Sequence, residues 1–256
     1  MESLLESKVI LIVGAGGLLG CFLVSAILKQ GGSVIAADIN VSEMKKRLIE
    51  IGVDLANAKL TLESIDVTVE KEVKNFFKKI PRIDGAVNAT YPRNKNYGKH
   101  FFEVTLANFN ENVALHLGST FLFTQQCALY YKGANNPFSL VNISSIYGVI
   151  APKFKIYSGT TMTVPVEYAA IKSSILHLNK YVVAYVNDSK FRINCVSPGG
   201  IFDHQPDSFI SAYREQTNGT GMLDVQEVIG SIMYLVSDQS RYVTGQNIII
   251  DDGFHL

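Results

Sequence analysis

Neither sign of charge is in excess in this sequence: Lys plus Arg number 23, and Asp plus Glu also number 23. A balanced chain builds no broad field to draw in nucleic acid or an anionic membrane surface, so neither partner is expected. Cysteine is scarce. Cys21, Cys127 and Cys195 stand far apart, with no metal-ligand spacing, so they read as reduced, buried thiols. No metal site is expected, and the reduced thiols favour the cytoplasm. No apolar run is long enough to span a bilayer, and the Met1 to Val13 start carries acids ahead of its apolar stretch, unlike the basic lead of a secretory signal. Internal repeats, low-complexity tracts and linkers are missing too, which leaves one soluble domain over residues 1–256.

What is present is apolar and alternating. Hydrophobic residues make up 47% and charged residues 18%, enough to cover a sheet on both faces. Short, mostly continuous apolar runs predict strands at Lys8 to Val13, Ser33 to Ala37, Lys59 to Ile65, Gly85 to Ala89, Phe138 to Ile143, Arg192 to Val196 and Asn247 to Ile250. Helical patterns fall between them at 18–30, 41–52, 69–80, 105–132, 165–187 and 225–237. Strands joined by helical crossovers imply an α/β fold of the Rossmann type: a doubly wound, parallel, seven-stranded sheet with helices on both faces. A flavodoxin-like sheet is the competing layout. Such sheets bind ligands at strand ends, where the notable residues fall.

Tyr168-Ala-Ala-Ile-Lys172 places a phenol and an amine four residues apart, on one face of a helix. There the lysine charge is expected to lower the tyrosine pKa from about 10 and fit it for proton transfer near neutrality. Alone, the pair also fits an ordinary helix. Upstream, Gly14-Ala-Gly16-Gly17-Leu18-Leu19-Gly20 follows the first strand and opens the first helix, where glycines admit a pyrophosphate to free N–H donors. Asp38 ends the second strand, 18 residues after Gly20, placed to accept from ribose hydroxyls and to repel a 2′-phosphate. It also fits a cap on the next helix. NAD is therefore expected, with NADP disfavoured.

Glycine turn, acid, Asn88-Ala89, Ser144-Ser145, Tyr-x-x-x-Lys and Pro198-Gly199, in that order, resemble the short-chain dehydrogenase/reductase family over essentially the whole chain. The likeness is strongest to single-domain oxidoreductases of bacterial flagellin modification and surface-sugar pathways. The resemblance implies that Ser145 hydrogen-bonds the substrate oxygen, Tyr168 moves the proton and Lys172 binds the nicotinamide ribose. It implies further cofactor contacts from Gly14, Gly17, Leu18, Gly20, Asp38, Asp66, Asn88, Ala89, Pro198, Gly199 and Ile201. Two departures stand out. Leu18 stands where single-domain members carry glycine, so the spacing fits extended members; and Thr90 replaces the glycine after Asn-Ala, narrowing the floor of the site.

A fourth catalytic position, usually asparagine, falls on His116, with Asn112 one turn earlier. A relay through His116, a shifted register favouring Asn112, and a plain core or interface histidine all fit. The segment from Ser145 to Tyr168, 22 intervening residues, is longer than usual for single-domain members; the extra portion is Ala151 to Pro165. Its Lys153, Lys155 and Tyr157, with Arg93 and Lys95 after the fourth strand, are expected to bind an anionic substrate, unless they form an ordinary solvated loop face. The reading is an NAD-dependent oxidoreductase acting on a secondary alcohol or ketone of a sugar phosphate or nucleotide sugar. A sugar epimerase or dehydratase, or an NAD-sensing protein without turnover, are the alternatives. By resemblance, the C-terminal Tyr242 to Gly253 segment packs between subunits of a homodimer or homotetramer; otherwise it is an internal edge strand.

Overall fold

The computed structural model describes residues 3–80, 82–134 and 136–256; Met1 and Glu2, part of the acidic lead, lie outside them. Seven strands form one parallel sheet: β1 Val9–Val13, β2 Ser33–Asp38, β3 Leu60–Ser64, β4 Gly85–Asn88, β5 Phe138–Ile143, β6 Phe191–Pro198 and β7 Asn247–Ile250. Their order is β3-β2-β1-β4-β5-β6-β7. All seven stand where the apolar runs predict them. β7 is an edge strand.

Alternation along each strand divides the core. Ile10 and Ile12 of β1, with Val34 and Ala36 of β2, face one apolar cluster; Leu11, Val13, Ile35 and Ala37 face the other. The first cluster is closed by helices α1 (Leu18–Lys29), α2 (Val41–Glu50) and α8 (Val225–Val236), through Leu23, Ile27, Met44, Leu48, Val228 and Ile232. On the opposite face, α3 (Glu70–Lys79) and α5 (Ser119–Ala134) supply Val73, Phe77, Phe123 and Cys127, with Val182 and Val183 of α6 (Val166–Val186) packed alongside. The three cysteines are free and buried.

Two departures from the expected helices bear on function. The helix expected over 105–132 is interrupted: α4 (Leu106–Asn112) passes into a π-helical turn, Val113–Gly118, before α5 begins. A helix that the sequence pattern did not reveal, α7 (Asp207–Arg214), follows β6 and buries Phe209 and Tyr213. At eight residues it is too short for periodicity to identify. Elsewhere the ends have local causes. Pro165 caps α6, and Asn187, left-handed at φ 48°, closes it.

The chain runs outward from β1 to β3, then returns to β4 on β1's other side. That reversal leaves a crevice beyond the carboxyl ends of β1 and β4, the position where doubly wound sheets take ligands.

Candidate active site

Two cavities adjoin in this crevice, sharing Ala89, Thr90 and Tyr91 at the end of β4. The first, about 540 Å³, is lined by Gly14, Gly16, Gly17, Asp38, Asp66 and Arg47 among others. Gly14 holds φ +79°, and a Cβ there would stand 2.7 Å from the Ala89 carbonyl oxygen, so only glycine keeps turn and strand this close. No side chain caps the N-terminus of α1, which leaves its first-turn N–H groups for a ligand. Leu18 opens α1 but its side chain does not line the cavity; main-chain N–H is what it offers. Gly20 is buried against the Gly14 carbonyl, allowing the helix to pack on the turn.

Asp38 is not the helix cap. Its Oδ2 accepts from Gly16 N at 2.9 Å and its Oδ1 from Asn40 N at 3.0 Å, while Asn40 caps α2 by accepting from Glu43 N. The carboxylate is thus held at the rim of the cavity. Arg47, unforeseen in the sequence, lies beside it with Nη1 donating to Gly16 O at 3.0 Å. Asp66 accepts from both the N–H and hydroxyl of Thr68. Asn88, buried, accepts from Thr90 N and Thr90 Oγ1, so the hydroxyl that replaces a bare glycine is turned onto its neighbour. Glycine cradle, uncapped helix and strand-end acid fit the adenosine and pyrophosphate of a nicotinamide dinucleotide.

The second cavity, about 380 Å³, brings together Ser145, Tyr168 and Lys172 with Pro198, Gly199 and Ile201. Ser145, extended at φ −165°, follows β5 and accepts from Tyr147 N at 3.2 Å. Its neighbour does something else: Ser144 Oγ donates to Lys172 O at 2.8 Å, tying α6 to the strand end. Gly148 makes that approach possible, since a Cβ would lie 2.7 Å from the Lys172 carbonyl carbon.

Lys172 Nζ donates to Ile143 O at 2.8 Å, stands 3.4 Å from His116 Nε2, and lies 5.6 Å from the ring centroids of both Tyr168 and Tyr91. Burial lowers its pKa to about 8. The expected lowering of the Tyr168 pKa by the lysine charge is not the balance found. Burial raises the phenol, and the Ser145 hydroxyl offsets that only in part.

His116 packs against Lys172 and Asn112 does not. His116, 2% exposed, belongs to the π-helical turn, whose carbonyl accepts from Ser119 and Thr120 hydroxyls. Burial, then the Lys172 charge, lowers its pKa to about 2, so the imidazole is neutral. With Nε2 facing an ammonium, the proton is assigned to Nδ1, which is buried without a partner. Asn112 instead accepts from Asn94 N at 2.9 Å and donates to Glu167 Oε1 at 3.2 Å, joining the loop after β4 to α6.

The cationic substrate lining requires correction. Arg93 lines the glycine-rich cavity and lies 4.8 Å over the Tyr91 ring; it is absent from the lining of the serine–tyrosine cavity. Lys95 and Lys155 are exposed and line neither cavity, and Lys153 lies 4.6 Å over the Phe254 ring. Lysine heads seek water while their stems cover apolar surface, and these loops leave them that choice. Tyr157 alone of the insertion's three reaches the cavity. Lining residues that the sequence did not point to include Tyr147, Gln205, Phe209, Tyr213 and Met222. Phe209 and Tyr213, four apart on α7, share one helix face, a pair too short to mark a helix by itself.

A dinucleotide cradle beside a serine, tyrosine and lysine in one cavity defines a class of oxidoreductases that work with a nicotinamide cofactor. This chain belongs to the short-chain dehydrogenase/reductase family. A family model described as enoyl-(acyl carrier protein) reductase matches residues 17–255. The chain is 35% identical to the post-translational flagellin modification protein A of Campylobacter coli, over 99% of this chain and 100% of that one. It is 26% identical to a 7alpha-hydroxysteroid dehydrogenase of Bacteroides fragilis, over 98% and 95%. Among solved structures, a short chain dehydrogenase of Leptospira borgpetersenii with bound NAD+ superposes with a TM-score of 0.85 at 32% identity, covering 98% of this chain and 94% of that one.

Proposed function

We propose that this protein is an NAD-dependent dehydrogenase or reductase interconverting a secondary alcohol and a ketone on a sugar derivative of surface-glycan synthesis, flagellin modification included. The observation that carries the chemistry is the meeting of Ser145, Tyr168 and Lys172 in one cavity that opens onto the glycine-rich cradle. The flagellin-modification relative supports the biological setting. Among the described residues lining the catalytic cavity Lys172 is the one cation, which favours a neutral sugar ring inside and any phosphate or nucleotide outside. A cytoplasmic homodimer or homotetramer completes the reading, supported by the free edge of β7 and by exposed aromatics on α5 and α6.

Gly14, Gly16, Gly17 and the first turn of α1 would hold the cofactor's pyrophosphate, Asp38 its adenosine ribose and Lys172 its nicotinamide ribose. Bound there, an oxidised nicotinamide supplies the acceptor for the carbinol hydrogen and its electron pair. Ser145 Oγ orients the substrate oxygen. Tyr168 gives that oxygen its proton in reduction, for which the raised pKa keeps the phenol protonated, and as phenolate it takes the proton back in oxidation. Lys172 stands next on the path for that proton, its amine steadied by neutral His116 at Nε2. Asp38 favours NAD, while Arg47 in the same cavity offers a 2′-phosphate a partner, so discrimination against NADP is expected to be partial.

Tyr168→Phe tests the reading. It should leave NAD+ binding nearly intact while lowering turnover at least about 100-fold, the low end for acid–base catalysis. Absorbance of the reduced nicotinamide across a sugar panel is the measurement; wild-type turnover in the variant would remove Tyr168 from the mechanism.

A further inference from the structure

Two phenols ten residues apart meet in the catalytic cavity. Tyr157 Oη donates to Tyr147 Oη at 3.2 Å. Tyr147 stands two residues after Ser145 and donates its own N–H to the serine oxygen, so it is tied to the catalytic strand end. Tyr157 arrives on a 3-10 turn, Phe154–Tyr157, within the extra segment 151–165. Its ring packs against Phe209 of α7 at 5.0 Å, and its carbonyl accepts from Thr160 Oγ1 at 2.8 Å. The insertion and α7 thus clamp the pair from outside the main cores, in an apolar cluster with Ile156, Val164 and Phe254.

The hydrogen-bonding inventory of the pair is asymmetric. Each phenol brings one proton and their contact uses one, so one O–H remains to donate and lone pairs remain to accept. Burial pushes both phenols up, which keeps them protonated, and both line the same cavity as Ser145 and Tyr168. Around them the lining is largely apolar: Ile146, Met162, Val164, Phe209 and Met222. Polar groups in such surroundings need partners. A hydroxyl, donor and acceptor at once, fits the pair; an anion only accepts, and Lys172, already engaged with Ile143 O, is the one cation among the described lining residues.

We propose that Tyr147 and Tyr157 form a receptor for a neutral hydroxyl on the carbon adjacent to the one oxidised, so that the substrates are vicinal diols and the products α-hydroxy ketones. The inference rests on Ser145, Tyr168 and Lys172 being the catalytic centre. It makes the insertion a reader of the substrate's second hydroxyl, a role carried by Tyr157 rather than by its lysines.

The test compares NAD+ reduction by cis-cyclohexane-1,2-diol with that by cyclohexanol. In the wild type, kcat/KM for the diol should exceed that for the mono-alcohol by about tenfold or more, because a site built for a hydroxyl rejects an analogue lacking it. Tyr157→Phe and Tyr147→Phe should each bring the ratio toward one, mainly through KM for the diol. A purely structural role would lower both alcohols in parallel; an unchanged ratio in both variants, or a wild-type ratio near one, overturns the proposal. Should one variant fail to fold by thermal melting, the other and the wild-type ratio still decide. Reduction of NAD+ by neither alcohol overturns the oxidoreductase reading and the receptor with it. Turnover that depends on Tyr168 but ignores the second hydroxyl overturns the receptor alone.

Discussion

His116 and Lys172 show how a single contact separates readings that spacing leaves open. The count along the chain allowed His116 or Asn112 in the relay position, because a π-helical turn adds a residue to the helix and rotates everything beyond it. The 3.4 Å separation of His116 Nε2 from Lys172 Nζ favours His116, and Asn112 is fully engaged with Asn94 and Glu167. With Lys172 at about 8, the cation that would hold the cofactor ribose is lost as pH rises through that value, so kcat/KM should fall on its alkaline side. His116→Ala admits water beside the amine, relieves its desolvation and should move this limb upward; Asn112→Ala should leave it in place. The pH profiles of the two variants check this, and a shift in Asn112→Ala alone would reverse the assignment. The sign for stability is opposite. The folded pKa lies below the unfolded value of about 10.4, so between the two the unfolded chain binds more protons and this group favours folding more as pH rises.

At the scale of elements, the strand ends were legible and the loops were not. Asp38 closes β2 in a register set by its pairing with β1 and β3, and continuous burial made β1 and β2 readable from apolar runs alone. Removing the carboxylate also frees the Gly16 and Asn40 N–H groups it holds, and Asp38→Ala should weaken NAD+ by about tenfold and admit NADP+, with Arg47 already beside the site to receive the phosphate. Titration of each nucleotide against the variant measures it, and unchanged relative affinities would detach Asp38 from cofactor choice. The segment 151–165 was legible as an insertion, but not in its use. Its lysines stay in water or on Phe254 while Tyr157 turns inward, since burying a phenol with a partner costs far less than burying an ammonium without one. Helix α7 escaped notice for want of length, and with it went Tyr213, whose hydroxyl accepts from Gly200 N at 2.6 Å and shapes the turn after β6.

For the whole molecule, balanced charge and a row of exposed apolar side chains set the expected behaviour. Phe121 and Leu129 on α5 and Tyr181 and Tyr185 on α6 are exposed, the two tyrosines stacked at 6.0 Å. Such a surface, with no net charge to keep copies apart, is expected to be covered by a second copy of the chain. Light scattering should give a mass of at least two chains, and Phe121→Glu with Leu129→Glu should lower it; a monomeric wild type would overturn the expectation.

The amino-acid order by itself determined the parallel sheet, the glycine cradle, the acid at the end of β2 and the pairing of Tyr168 with Lys172, because each depends on residues near in sequence or on the burial of the strands. Only the tertiary structure decided which polar side chains share a cavity. It brought His116 to Lys172, separated Ser144 from Ser145, set Tyr147 against Tyr157 and left Lys95, Lys153 and Lys155 outside. Those outcomes turn on which groups desolvation expels and which find a partner outside their own element, and local pattern carries no record of that competition.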